Sequence, residues 1–96
     1  IIVLEPHEAR RTLALELGAT HVLDPAQTPD LAAAVRGFAA NGVDYAFDTT
    51  GIPPLLNAAV DCLAPRGVFG IVGIAPPGTP VPGVLARLVS TGLTIR

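Results

Sequence analysis

The chain has 96 residues, half of them hydrophobic and 15% charged, with a net charge of −2. That length suits at most one small domain, and so apolar a composition excludes a disordered segment. All six basic residues are arginines scattered along the chain, so nothing resembles the cationic stripe that meets nucleic acid or an acidic lipid surface.

No apolar run approaches the ~20 residues of a membrane helix. Ile1–Leu4 has neither the charged start nor the length of a signal peptide. A single cysteine, Cys62, cannot form an internal disulfide and favours a reducing compartment. The expectation is a soluble, cytoplasmic domain, and the lack of an initial methionine fits a piece of a longer chain.

Taken in chain order, Ile1–Leu4 is a continuous apolar run, the pattern of a short strand buried on both faces. Pro6 stops it. Over His7–Leu17, Ala9, Leu13 and Leu17 repeat every four residues and predict a helix face, with Glu8 and Arg11 on the exposed side and Gly18 closing the helix. His21–Leu23 is a second short strand, ended by Asp24-Pro25. Thr28-Pro29-Asp30 has the form of a helix start, with Thr28 as the cap. Leu31, Ala34, Val35 and Phe38 supply the stripe of that helix, which Asn41-Gly42 terminates. Val43, Tyr45 and Phe47 alternate with Asp44, Ala46 and Asp48 in a third strand ending at an acid, and Thr49-Thr50-Gly51 forms the loop beyond. A helix opened by Pro53 or Pro54 buries Leu56, Ala59, Val60 and Leu63. Pro65-Arg66-Gly67 predicts a turn, Val68–Ile74 a central strand, and Ala75–Pro82 a loop. Val84, Leu85, Leu88 and Val89 mark a short helix ended by Gly92, and Leu93–Ile95 a last strand.

Strands and helices therefore alternate throughout, which means an α/β fold with a mainly parallel sheet and right-handed crossovers. The first strand ends in a carboxylate, Glu5, and turns directly into a helix. In a Rossmann-type, doubly wound sheet an acid at that point, after the second strand, hydrogen-bonds the adenosine ribose, and a glycine-rich loop lies roughly 20 residues upstream. Only four residues precede Glu5 here. The reading is an incomplete Rossmann-type domain that lacks its first strand and glycine-rich loop.

Three segments make the pattern specific: ELGATHV over 16–22, GVDYAFDTTG over 42–51 and GVFGIVGIAPP over 67–77. In this order and spacing they resemble the medium-chain, zinc-type alcohol dehydrogenases, most closely their aryl-alcohol branch. The resemblance covers residues 1–96 and implies a partial cofactor-binding domain from its second strand to its sixth. It implies NAD as cofactor, with NADP second, and a catalytic zinc held by a separate domain outside these residues. The closing GLTIR is similar to the start of the sixth strand, which pairs across a dimer axis in that family and implies a homo-oligomer. An alcohol or aldehyde would be the substrate.

The resemblance also assigns roles to particular residues. Glu5 matches the acid that accepts the ribose hydroxyls and repels the 2′-phosphate of NADP. Arg10 matches a basic contact to the adenosine portion, while the neighbouring Arg11 leaves NADP open. Thr49, Thr50 and Gly51 match the loop over the adenosine and nicotinamide-ribose side, and Val72, Gly73 and Ile74 the backbone that meets the nicotinamide carboxamide and its ribose. No catalytic residue is expected. His7 and His21 lack partners at ligand spacing, Cys62 reads as an inert, partly buried thiol, and Asp44, Asp48 and Asp61 are too dispersed for an acid/base pair. The missing strand is expected between Ile1–Leu4 and Val43–Phe47, so the 96 residues alone should bind NAD poorly and catalyse nothing. Two alternatives stand beside the dehydrogenase: an S-adenosylmethionine-dependent methyltransferase, which also carries an acid after its second strand, and a non-catalytic nucleotide-binding or oligomerisation module.

Overall fold

A computed structural model describes residues 1–96. Strands and helices alternate as β1 (Ile2–Leu4), α1 (Glu8–Glu16), β2 (His21–Leu23), α2 (Leu31–Phe38), β3 (Val43–Asp48), α3 (Pro53–Cys62), β4 (Leu63–Ile71), α4 (Leu85–Thr91) and β5 (Thr94–Ile95). All pairings are parallel, so each strand is joined to the next by a helical crossover.

The strands form two sheets. β1 pairs with β2, aligning Ile2 with His21 and Leu4 with Leu23. β3, β4 and β5 form the second sheet with β4 at its centre, the place expected of Val68–Ile74. No hydrogen-bonded ladder joins β1 to β3. Between them lies a cleft of about 820 Å³, lined by Ile1–Leu4 on one side and Val43–Thr50 on the other, with Val35 and Phe38 of α2 beneath.

The core sits on the second sheet. Leu56 and Val60 of α3 pack with Leu63 and Phe69 of β4, and Leu88 of α4 and Ile95 of β5 close around them. Two arginines tie the neighbouring helices to the end of α3. Arg36 of α2 donates to the Asp61 carbonyl at 2.6 Å, and Arg87 of α4 donates to the carbonyls of Asp61 and Leu63 at 3.3 Å. Cations are favoured there because the last carbonyls of a helix lack intrahelical donors and carry its negative dipole end.

Four local features differ from expectation. Asp30, not Thr28, caps α2 and accepts the Ala33 amide at 2.9 Å; Pro29 lies outside the helix, and a one-turn 3₁₀ segment, Pro25–Gln27, precedes it. Pro65-Arg66-Gly67 does not separate α3 from β4 but bulges within the strand, where pairing jumps from Val43–Leu63 to Tyr45–Val68 and Arg66 takes a φ of 63°. β4 stops at Ile71, leaving Val72-Gly73-Ile74 beyond the strand. The apolar stripe of α1 stays uncovered, with no residue buried and Leu17 79% exposed, because two three-residue strands offer too narrow a face to cover it.

Candidate cofactor site

The eight expected site residues fall into two groups, one at the carboxyl end of each sheet. In the first, the Glu5 amide extends the β1–β2 ladder by donating to the Leu23 carbonyl at 3.0 Å. The Glu5 side chain then turns over the start of α1, where its Oε1 accepts the His7 amide at 2.9 Å. His7 occupies the cap position of α1 without capping through its own side chain, so Glu5 satisfies a donor there and places negative charge at the positive end of the helix. Arg10 stands 4.0 Å from Glu5 Oε1 and is 69% exposed. Only Oε1 is engaged within the chain, which leaves Oε2 as an acceptor for a ribose hydroxyl.

Arg11 does something different from its expected surface pairing with Glu8. Its Nη1 donates to the carbonyls of Glu5 at 2.8 Å and Pro6 at 2.7 Å and lies 3.6 Å from Asp24 Oδ2. The guanidinium locks the β1–α1 turn to the end of β2. Its Nη1 is thereby committed to protein oxygens.

In the second group, the segments 49–51 and 72–74 meet at the ends of β3 and β4. The residue between them is Asp48, 6% exposed. Its Oδ2 accepts the amides of Thr50 at 3.0 Å and Gly51 at 2.6 Å, and its Oδ1 accepts the Thr50 hydroxyl at 2.7 Å. Its carbonyl accepts the amides of Val72 at 2.8 Å and Gly73 at 3.1 Å. Glycine is obligatory at both crossing points. A Cβ on Gly51, whose φ is 68°, would collide with the Ile74 carbonyl oxygen, and one on Gly73 would collide with the amide nitrogens of Gly51 and Thr50. Thr49, Thr50 and Val72 are exposed, and Ile74 is 95% exposed.

Glu5 follows Leu4, which lines one wall of the cleft. Thr49 and Thr50 line the cleft whose other wall is β1, and crevices outside the carboxyl ends of strands are where open α/β sheets bind ligands. A carboxylate with an unengaged oxygen at one end and a glycine-permitted backbone surface at the other fit a dinucleotide. Zinc is not matched in this way: no three His, Cys, Asp or Glu side chains come together. His21 stacks on Phe38 with ring centroids 3.9 Å apart, Asp61 faces Arg87 at 4.0 Å, and burial pushes the Cys62 thiol above its ordinary value. Asp48, read from the sequence only as a strand-ending acid, organises the second group. Its signal was the run Asp-Thr-Thr-Gly after an alternating strand, since Asp side chains commonly accept backbone amides two residues on.

A family model described as zinc-binding dehydrogenase matches residues 1–96. The chain is 46% identical over its whole length to a geraniol dehydrogenase from Castellaniella defragrans, of which it spans 26%. Among solved structures it is similar to an alcohol dehydrogenase zinc-binding domain protein from Burkholderia ambifaria, with a TM-score of 0.92, 40% identity, and coverage of 100% of this chain and 26% of that one. It is also similar to a benzyl alcohol dehydrogenase from Acinetobacter calcoaceticus, with a TM-score of 0.88, 38% identity, and coverage of 99% and 26% respectively. The chain thus spans about a quarter of the length of these relatives. These matches disfavour the methyltransferase and non-catalytic alternatives.

Proposed function

Because the chain belongs to the zinc-binding dehydrogenase family, we propose that it is the greater part of the cofactor domain of an NAD-dependent alcohol dehydrogenase. What the cofactor supplies when bound is a hydride acceptor and donor. The residues of this chain bind and orient it. Glu5 accepts from the adenosine ribose hydroxyls through Oε2, while its engagement with His7 and Arg10 keeps the carboxylate in place. The backbone of Thr49–Gly51 and Val72–Ile74 receives the nicotinamide-ribose side. Zinc has no ligand set among these residues and, in this reading, is held elsewhere in the whole enzyme.

The observation that carries the proposal is the placement of Glu5, at the carboxyl end of β1 and beside the cleft, in a chain matched by this family from end to end. Two further readings depend on it. The cleft between β1 and β3 takes the first strand of the complete sheet, whose loop and following helix cradle the pyrophosphate. The closing strand β5, an open edge of the second sheet, pairs with its counterpart in a homo-oligomer. The substrate is an alcohol or aldehyde, and the likeness to a benzyl alcohol dehydrogenase supports an aryl alcohol. No helix is long and apolar enough to cross a membrane.

Measuring kcat/KM of the whole enzyme with NADH and NADPH tests the proposal. NADH is expected to be strongly preferred. Glu5→Gly should raise the KM for NAD by about tenfold or more, the scale of one lost charge-assisted hydrogen bond, and should narrow the preference. Equal use of both cofactors by the unmodified enzyme would refute the role of Glu5.

A further inference from the structure

We infer that Asp48 is a positioning residue for the cofactor, holding the two loops of the nicotinamide-ribose side as a single surface. The inference deepens the proposed function and rests on it. Five donors from two separate segments converge on this one residue. The carboxylate gathers the Thr50 amide, the Thr50 hydroxyl and the Gly51 amide, and the carbonyl gathers the amides of Val72 and Gly73. Gly51 is itself buried, so without the carboxylate its amide would stay desolvated and unpaired, a costly state. The bonds run onward as well: Thr50 Oγ1 accepts the Ile52 amide at 3.1 Å, and Ile52 is the cap residue of α3, with no capping bond of its own. The loop is therefore pinned at one end to β3 and at the other to a core helix. Its face toward Gly73 and Ile74 is closed by backbone contacts that no side chain could share. Thr49, Thr50, Val72 and Ile74 present exposed surface on a backbone held by these bonds and contacts. Preorganisation of this kind lowers the ordering cost of binding.

The chemistry separates two substitutions. Asparagine retains one acceptor oxygen for the Thr50 and Gly51 amides, and its NH₂ can donate to the Thr50 hydroxyl oxygen. Alanine removes all three carboxylate bonds and keeps only the backbone carbonyl that accepts from Val72 and Gly73. In the whole enzyme, Asp48→Ala should raise the NADH dissociation constant, read by fluorescence titration, by at least tenfold, whereas Asp48→Asn should stay within about fivefold of the parent. The KM for NAD should rise in parallel with kcat little changed, the mark of an interaction made equally in ground and transition states. Amide hydrogen exchange in the cofactor-free Asp48→Ala enzyme should quicken over 49–52, less over 72–74, whose amides keep the Asp48 carbonyl, and not over α1. The preference for NADH over NADPH should persist, because Glu5 belongs to the other group.

An Asp48→Ala enzyme whose NADH affinity stays within twofold of the parent would overturn the inference, as would exchange that quickens equally everywhere. Should that variant fail to fold, Thr50→Val decides. Faster exchange over 49–52 with a threefold or greater loss of NADH affinity supports the inference, and parental values of both overturn it. An unmodified enzyme that binds neither NADH nor NADPH would instead overturn the proposed function, and the inference with it.

Discussion

Cys62 illustrates how burial alone settles the behaviour of a side chain. The thiol is 5% exposed, and desolvation raises its pKa above the ordinary 9.0, with the Arg36 charge opposing. As pH rises, the unfolded chain releases this proton first. The contribution of the thiol to stability is therefore complete below pH 9.0 and is lost as pH climbs toward the higher folded-state value. Denaturant melts between pH 8 and pH 10 should show a smaller alkaline loss of stability in Cys62→Ala than in the parent, and Cys62 should react with a thiol reagent only slowly until denaturant is added. Rapid labelling of the native chain at neutral pH would contradict both. Glu5 and Arg11 make the complementary point. Adjacent segments carry an acid and two arginines, yet one arginine is consumed by carbonyls of its own turn while the other stays exposed beside the acid. Sequence proximity does not distinguish them.

At the scale of elements, the division between covered and uncovered apolar faces decides where stability lies. Phe69, in the central strand, is 0% exposed, whereas Phe38, at the end of α2, is 48% exposed. Phe69→Ala in the 96-residue chain should cost about 3–5 kcal/mol through lost burial and the cavity left behind. Phe38→Ala should cost about 1.5 kcal/mol or less, the worth of an aromatic pair with its partner His21. Chemical denaturation followed by circular dichroism reads both, and equal losses would mean that the cleft closes over Phe38 in solution. The sequence predicts an apolar stripe on both α1 and α2, but that of α2 is the stronger, and α2 buries Leu31 and Val35 while α1 buries nothing. A helical stripe reports which face is suited to cover, and only the neighbouring sheet decides whether cover exists.

At the scale of the molecule, two parallel sheets stand side by side with their facing edges unpaired across an apolar cleft. Unpaired strand edges invite association, and only 12 of the 96 residues are buried. The purified chain should therefore self-associate, and calorimetric titration with NADH should register no binding at micromolar concentrations, because its phosphate cradle would come from the strand, loop and helix assigned to that cleft. Micromolar affinity would show that the adenosine and nicotinamide-side groups suffice by themselves.

By itself the sequence determined the alternation of strands and helices, the parallel class, the central place of β4 and the acid at the end of β1. These follow from short-range patterns: continuous apolar runs, four-residue spacings, and prolines and glycines at boundaries. The positions and expected roles of the candidate site residues came from motif order and family resemblance rather than from any single side chain. The tertiary structure decided what depends on partners distant in the chain. It set the ends of β4, because Val72 and Gly73 leave the ladder to donate to the Asp48 carbonyl 24 and 25 residues earlier. It committed Arg11 to the turn it follows and left α1 uncovered. It also turned Asp48 from an undistinguished strand-ending acid into the residue on which two loops converge, since a hydrogen bond belongs to two atoms and the sequence names only one of them at a time.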